Sequence, residues 1–174
     1  MAEKRKDSRQ KQIQRIAQET FGYDCLSPGQ QEIIQPVVDG RDTLAIMPTG
    51  SGKSALYQIA ALLLPGTTIV ISPLIALQYD QIEAITEYDL ASVAAVNSTI
   101  PDLERQEALE NLEQKELEFV FLAPEQFNNE EVLAKVRAAY QEIGRAERDG
   151  KEALATLFYC PDDLKLRRFF AGGG

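Results

Sequence analysis

Short apolar segments alternate with longer amphipathic segments along most of this chain, and this alternation narrows the choice of fold more than any other feature. The segments DTLAIM, TTIVIS, SVAAV and EFVFL are rich in β-branched, aromatic and other apolar residues and predict short, buried strands. Amphipathic segments such as LIALQYDQIEAITEY and DLERQEALENLEQK lie between them and predict helices. This alternation predicts an α/β fold, in which helices cover both faces of a parallel sheet and ligands bind at the carboxyl ends of the strands.

Two helices are predicted before the first strand, and a third follows it. The segment SRQKQIQRIAQETFG has apolar residues at helical spacing and stops at Gly22. The second helix begins at Ser27, whose hydroxyl can cap the first turn, and Pro28 suits that turn. It ends at Gly40, and Pro36 is expected to kink it. The third helix is predicted over GKSALYQIAALLL.

The charge of the chain is negative overall and unevenly distributed. The net charge of −9 over 174 residues argues against nucleic-acid binding by bulk electrostatics. Between Asp42 and Ala134 there are 15 acidic and 3 basic residues, whereas six bases lie in the first 15 residues and seven lie from Arg137 onward. Contacts to a phosphate backbone are therefore expected at the two ends. A solvated surface with charged termini explains the same pattern.

Several classes of protein are not indicated by the composition. The length suits one domain, and no apolar run reaches about 18 residues, so no membrane span is expected. Cys25 and Cys160 match no metal-ligand spacing and predict two free thiols in a reducing cytoplasm, with no zinc site. The chain has no histidine, which excludes mechanisms that need an imidazole.

The segment MPTGSGKS, residues 47–54, predicts a phosphate-binding loop between a strand and a helix. Its glycines let backbone N–H groups approach phosphate oxygens, and the start of the helix favours an anion. Lys53 can reach the β- and γ-phosphates of a nucleotide, and the Ser54 hydroxyl can hold Mg²⁺. A glycine-rich turn without a ligand is the alternative, but it leaves the Lys-Ser pair at the helix start to chance.

Five segments occur in an order and spacing that resemble a known family. They are FGYDCLSPGQQEII, MPTGSGKSALYQIAALL, VISPLIALQYDQ, VNST and LAPEQF. Together they resemble the first motor domain of the RecQ-type ATP-dependent DNA helicases of superfamily 2, from about Phe21 to Phe127. The resemblance implies a RecA-like fold, ATP hydrolysis with Mg²⁺, and DNA as the partner of a cytoplasmic or nucleoid-associated protein.

The resemblance also implies roles for residues around the nucleotide. Tyr23 would stack on the adenine ring, and Gln30 would hydrogen-bond its edge. Leu26 and Ser27 stand where the family usually has an aromatic residue and an arginine. The residues implied to hold ATP and Mg²⁺ are Tyr23, Gln30, Thr49, Gly50, Ser51, Gly52, Lys53 and Ser54, with Lys53 also implied in catalysis.

Two polar segments are implied to touch the DNA backbone. In the first, Ser72 and the turn at Pro73 would offer a hydroxyl and backbone N–H groups to phosphate. In the second, Asn97, Ser98 and Thr99 would do the same. Taken alone, either segment is better explained as a polar strand end without function. Gln126 stands where the family tends to have an arginine.

The family's Asp-Glu-Ala-His motif, which holds Mg²⁺ and orients the attacking water, is absent from this sequence. The chain contains no Asp-Glu dipeptide and no histidine. After LAPEQF it continues into YQEIGRAERDG, which resembles the arginine-finger motif near the end of the family's second motor domain, with Gln141, Arg145 and Arg148 at its polar positions. Glu147 replaces the small residue expected between these arginines.

The sequence is therefore interpreted as a RecQ-like helicase with an internal deletion, which leaves an incomplete RecA-like fold. The predicted parts are a basic N-terminal helix (1–20), a partial first motor domain (21–139), a remnant of the second (140–170) and a flexible tail (171–174). A helix from about Asn129 to Glu147 is predicted across the junction. ALATLFY, residues 153–159, is predicted to add a strand to the sheet through a right-handed crossover that keeps Arg145 and Arg148 away from the phosphate loop.

The expected function is ATP binding with little or no unwinding. Arg145 and Arg148 are implied catalytic residues, but unwinding needs two motor domains and a carboxylate that orients the attacking water. The alternative is an inactive nucleotide-binding remnant, a regulatory fragment that pairs with a complete helicase, or a relic.

Overall fold

The computed structural model describes residues 2–48, 50–87, 91–146 and 156–159. The helices are α1 (Ala2–Phe21), α2 (Pro28–Val38), α3 (Lys53–Ala61), α4 (Ile75–Glu87), α5 (Asp102–Gln114) and α6 (Glu130–Ala146), with a 3₁₀ helix at Pro124–Asn128. The strands are β1 (Thr43–Ile46), β2 (Thr68–Ile71), β3 (Val93–Val96), β4 (Phe119–Leu122) and β5 (Thr156–Tyr159). They form two compact units: one holds the described residues up to Leu64 together with β5, and the other runs from Pro65 through α6.

The first unit packs α1, α2 and α3 around a shared apolar core beside a two-stranded sheet. Its parallel strands β1 and β5 pair from Thr43 with Thr156 to Ile46 with Tyr159. This pairing confirms the prediction that the 153–159 segment adds a strand. The core residues come from all three helices and include Ile13, Ala17, Ile34, Val37, Leu56 and Ile59.

The second unit is a three-stranded parallel sheet, in the order β2-β4-β3, with helices packed against it. The central strand β4 is buried at every position, as expected for a strand covered on both faces. Its apolar core includes Val96, Leu109, Leu112, Val120, Leu122 and Val132, contributed by β3, α5, β4 and α6. The predicted α/β class with a parallel sheet is confirmed, but the described strands form two sheets because β1 pairs with β5 while β2 pairs with β4.

The predicted helices lie where expected, with differences at their ends. Helix α1 already begins at Ala2, because Glu, Lys, Arg and Gln are good helix formers. Helix α3 ends at Ala61, and the N–H groups of Leu63 and Leu64 turn back to carbonyls three residues earlier. The tighter turn precedes Pro65, which disfavours helical geometry in the residue before it.

Helix α6 spans the junction that sequence analysis placed after Phe127. It runs unbroken from Glu130 to Ala146, which confirms the predicted helix to within a residue at each end. Asn129 caps it, since its Oδ1 accepts hydrogen bonds from the N–H groups of Glu131 (2.9 Å) and Val132 (3.4 Å). The predicted short helix over DDLKLRRFF, the tail and the handedness of the crossover lie outside what the described residues test.

Within the parts of the chain that the structure describes, no helix is long and apolar enough to cross a membrane. The same residues contain no group of three His, Cys, Asp or Glu side chains that could hold a metal ion. Cys25 is an exposed free thiol, and Cys160 lies outside the described residues.

Candidate nucleotide and nucleic-acid sites

The loop between β1 and α3 has the backbone geometry that the glycines of a phosphate-binding loop allow. Gly50 (φ 77°) and Gly52 (φ 78°) both adopt the left-handed conformation, which side chains with a Cβ rarely adopt. Ser51 tightens the turn, because its hydroxyl donates to the carbonyl of Pro48 at 2.6 Å. Thr49 lies outside the described residues.

The start of α3 leaves its first N–H groups without a side-chain cap. The N-cap residue is Gly52, which has no side chain to accept a hydrogen bond from the first turn. Uncapped N–H groups at a helix start, together with the helix dipole, form a site for an anion. The Nζ of Lys53 donates to the carbonyl of Met47 at 3.4 Å, so it folds back over this loop. A long bond of this kind is weak and can be exchanged for a phosphate oxygen.

Ser54 in the first turn of α3 is tied to a tyrosine one turn further on. The hydroxyls of Ser54 and Tyr57 are hydrogen-bonded to each other. Burial raises the pKa of Tyr57, while its hydrogen bonds with Ser54 and Gln58 act in the opposite direction. Tyr57 therefore stays neutral, and whichever of the two hydroxyls donates, the Ser54 oxygen keeps a lone pair for a cation.

The two residues that the resemblance assigned to adenine both lie next to the phosphate loop. A Cβ built on Gly52 would lie 3.1 Å from Gln30 Nε2 and 3.9 Å from the hydroxyl oxygen of Tyr23. Gln30 Nε2 also donates to the carbonyl of Ser51 at 3.4 Å. Tyr23 stacks on Phe21, with ring centroids 6.5 Å apart. Glycine at 52 suits the left-handed backbone angle, and the missing Cβ leaves room for the Gln30 amide beside the loop.

Gln30 also caps the start of α2, a role that the sequence analysis did not predict. Its Oε1 accepts from the backbone N–H of Ser27 at 2.9 Å, while the Ser27 hydroxyl accepts from the N–H of Gln30 at 3.3 Å. These reciprocal bonds form a capping box at the start of α2. The predicted cap by Ser27 is confirmed. The Ser-Pro-Gly-Gln spacing was the available signal for the role of Gln30.

The polar segments of the second unit lie at the carboxyl ends of β2 and β3, on either side of the central strand. Ser72 follows β2, and its N–H donates to the carbonyl of Leu122 in β4 at 3.0 Å. The N–H of Ala123, after β4, donates to the carbonyl of Val96 in β3 at 3.1 Å. Backbone hydrogen bonds thus continue past the last paired residues and bring the Ser72 and 97–99 segments to one edge of this sheet.

A buried amide pair connects these two segments. Gln78 in α4 and Asn97 after β3 are both fully buried. Asn97 Nδ2 donates to Gln78 Oε1 at 2.9 Å, and Gln78 Nε2 donates to the carbonyl of Ser72 at 2.7 Å. Asn97 Oδ1 accepts from both the N–H (2.9 Å) and the hydroxyl (2.7 Å) of Thr99. The Asn97 side chain is therefore engaged in the protein and positions Thr99.

The outer side of the same edge carries the remaining predicted residues. Pro73, Ser98 and Thr99 are exposed, and Ser72 is half-buried. The hydroxyl of Tyr79, in α4, lies 2.8 Å from Thr99 Oγ1. Sequence analysis missed Gln78 and Tyr79. Gln78 lies seven residues before the buried Ile85 and therefore on the same face of α4. This spacing was the available signal that Gln78 is buried.

The polar residues of the arginine-rich segment are described only in part. Gln141 and Arg145 lie in the last turns of α6, and Arg148 lies outside the described residues. Their proposed distance from the phosphate loop therefore stays a prediction.

These features together define a phosphate-loop protein with an α/β core of the RecA-like type. Its fold resembles that of a crystal structure titled as a hypothetical ATP-dependent RNA helicase from Sulfolobus tokodaii, with a TM-score of 0.57 and 18% sequence identity over 85% of this chain and 50% of that one. A sequence model of the DEAD/DEAH box helicases matches residues 27–144. The chain belongs to the DEAD/DEAH box helicase family.

Within that family the chain is similar to RecQ-type proteins. It is 43% identical over 114 residues to the ATP-dependent DNA helicase RecQ of Bacillus subtilis, covering 65% of this chain and 19% of that protein. It is 35% identical over 126 residues to the probable ATP-dependent DNA helicase RecS of the same organism, covering 72% of this chain and 25% of the relative. The RecQ helicase of Synechocystis is 38% identical over 117 residues, which are 67% of this chain and 24% of that protein. The chain thus spans a quarter or less of the length of these relatives.

Proposed function

We propose that this protein binds ATP with Mg²⁺ in the 47–54 loop and single-stranded DNA at the carboxyl ends of β2 and β3, and hydrolyses ATP at no more than a background rate. The observation that carries the proposal is the uncapped start of α3, preceded by two left-handed glycines. A RecQ-like helicase that has lost part of its motor is the ancestry that best explains this combination.

The residues of the loop fit a nucleotide triphosphate. The N–H groups at the start of α3 offer hydrogen bonds to phosphate oxygens, and Lys53 adds a positive charge that can leave the Met47 carbonyl. Mg²⁺, when bound with the nucleotide, supplies positive charge to the phosphates, and the Ser54 hydroxyl would hold it. Tyr57 would keep that hydroxyl oriented through its own hydrogen bond.

Adenine would lie against Tyr23 and Gln30, which border the loop at Gly52. Gln30 retains one amide hydrogen and one oxygen lone pair beyond its bonds to Ser51 and Ser27, so it can still pair with the edge of a base. Ser27, which replaces the usual arginine of the family, serves as a helix cap and adds no charge near the nucleotide. Modest affinity for ATP is therefore expected.

DNA would be held through neutral groups at the edge of the second sheet. Ser72 and Ser98 offer hydroxyls to phosphate oxygens, and Asn97 acts through Thr99. The stretch from Ser72 to Thr99 contains no lysine or arginine, so its ionic contribution to DNA affinity is small.

The missing carboxylate motif is the reason for proposing background hydrolysis. Without an Asp-Glu pair, no residue is assigned to orient the attacking water. An arginine finger, where measured, contributes about 10³–10⁵ in rate, and Arg145 and Arg148 are the candidates for it here. We attribute the missing motif to an internal deletion, on the order of 150 residues or more by the size of a domain. Helix α6 runs unbroken across the proposed junction, so the two parts would be joined in helical phase.

The test is a Mg-ATP titration of the purified chain, paired with a phosphate-release assay. Binding in the micromolar-to-millimolar range is expected, and Lys53→Ala should weaken it at least about tenfold, the loss of one charge-assisted contact. Lys135→Ala is the matched control, because among the described residues this lysine pairs with the exposed Glu113 in the second unit, whereas the loop belongs to the first. Equal affinities of wild type and Lys53→Ala would refute the nucleotide site. DNA-stimulated phosphate release that Lys53→Ala abolishes would refute the proposed lack of hydrolysis.

A further inference from the structure

We infer that Tyr79 is a stacking platform for a base of single-stranded nucleic acid. The inference rests on the DNA binding proposed above and adds a recognition mode to it. Backbone contacts from Ser72 and Ser98 would place the strand, and the ring of Tyr79 would hold one of its bases.

The geometry of Tyr79 combines an exposed ring with an anchored hydroxyl. The residue is 43% exposed, yet its hydroxyl lies 2.8 Å from Thr99 Oγ1. Thr99 Oγ1 also bonds to Asn97 Oδ1, and an amide oxygen can only accept. Thr99 therefore donates to Asn97, and Tyr79 donates to Thr99. The direction of each hydrogen bond in this short chain is fixed.

The chain of hydrogen bonds ends in the buried part of the unit. Asn97 is held by Gln78, and Gln78 is held by the carbonyl of Ser72. Both amides are fully buried, so the turn that carries Thr99 is rigidly attached to the sheet. A ring that is held in place before binding loses little conformational entropy on binding, which favours its use as a contact surface.

The surroundings of Tyr79 favour stacking over ionic recognition. Seven large apolar side chains are exposed among the described residues, and four of them lie close together in sequence: Ile71, Leu74, Leu77 and Tyr79. These four exposed side chains make the segment from Ile71 to Tyr79 largely apolar where it meets solvent. The same stretch has no lysine or arginine that could attract phosphate over a distance. Every base offers an apolar face to an aromatic ring, so this contact would be tolerant of sequence.

The test compares two fluorescently labelled oligonucleotides of equal length, oligothymidine and its abasic counterpart, which keep the same phosphates. Wild-type protein is expected to bind oligothymidine at least about fivefold more tightly than the abasic strand, since stacking on one aromatic side chain contributes about that much or more. Tyr79→Leu should remove this difference. Tyr79→Phe should keep most of it, because the ring is retained and only the anchor is lost.

A second signal separates stacking from a general effect on the fold. The fluorescence of 2-aminopurine placed in the oligonucleotide should be quenched by wild type and by Tyr79→Phe, but not by Tyr79→Leu at saturating protein. Thermal melting of each variant reports whether it is folded. Equal binding of both oligonucleotides by wild type would overturn the stacking role while leaving DNA binding in place. Failure of wild type to bind either one would overturn the proposed DNA binding and the stacking role with it.

Discussion

Asn97 Nδ2 donates a 2.9 Å hydrogen bond to Gln78 Oε1, and this bond joins two fully buried amides from different elements of the second unit. Each amide uses its remaining groups on a segment at the sheet edge: Gln78 on Ser72, and Asn97 on Thr99. A buried polar pair of this kind stabilises only while its bonds are satisfied. The pair therefore couples the stability of the unit to the shape of its candidate DNA surface.

Replacing Gln78 by methionine should destabilise the second unit. Methionine has a similar volume but leaves the Asn97 amide and the Ser72 carbonyl without partners, which costs about 1–3 kcal/mol for a buried group. The free energy of unfolding in urea measures this loss. Gln106→Met is the control. Among the described residues, Gln106 is exposed and bonds to the exposed Glu110 one turn away, so its effect should stay within about 0.5 kcal/mol. Similar losses in both variants would contradict a special role for the buried pair.

Replacing Gly52 by alanine should impair the nucleotide site. The left-handed backbone at Gly52 costs a residue with a Cβ about 1–2 kcal/mol, and the new Cβ would press on Gln30 Nε2 at 3.1 Å. We expect lower stability of the first unit and weaker Mg-ATP binding, measured by thermal melting and titration.

Gly29→Ala is the matched control for that experiment. Gly29 lies in the first turn of α2, and a Cβ there would meet nothing within 4 Å. Alanine is favoured over glycine in a helix by up to about 1 kcal/mol, so this variant should be as stable as wild type or more so. A Gly52→Ala protein that binds Mg-ATP as well as Gly29→Ala would argue against the tight loop geometry.

Replacing Ser27 by alanine should weaken the start of α2. The hydroxyl that accepts from the Gln30 N–H is lost, which costs about 0.5–2 kcal/mol in comparable caps. The backbone N–H of Ser27 can still donate to Gln30 Oε1, so Ser27→Ala should change Mg-ATP affinity little. Ser27→Asp restores a capping oxygen and should recover the stability. A stability unchanged in both variants would show that the cap contributes nothing measurable.

Stability should fall in strongly alkaline solution because of Tyr57. Burial raises the pKa of Tyr57 in the folded protein above the ordinary value of about 10. Above pH of about 10 the unfolded chain therefore loses this proton while the folded protein keeps it, so the free energy of unfolding decreases as pH rises. Below that range both states are protonated and Tyr57 adds no pH dependence. Tyr57→Phe should lose stability less steeply with pH than wild type in alkaline urea titrations, and equal slopes would contradict the assignment.

Local structure followed closely from the residues themselves. The strands TIVI and FVFL, the cap at Ser27 and the loop around Gly50 and Gly52 are set by interactions within a few positions: β-branching, side-chain capping and the absence of a Cβ. The same holds for α6, whose apolar spacing continues through the junction. The phosphate loop and the resemblance to RecQ-type helicases were readable for this reason, since their motifs are short and contiguous.

Which strands pair with each other, and which distant side chains form hydrogen bonds, was decided only by the tertiary structure. The alternation of apolar and polar residues in a strand predicts which of its faces is buried, but not which strand lies beside it. The pairing of β1 with β5, and of β4 with both β2 and β3, therefore depends on contacts between residues far apart in sequence. The same is true of Gln30, whose amide reaches Ser51 across 21 positions, and of the Gln78–Asn97 pair across 19. Burying a polar side chain without a hydrogen-bonding partner is unfavourable, so from sequence alone a polar residue in a helix is predicted to be exposed. Only the fold shows that a second polar group lies within hydrogen-bonding distance of it.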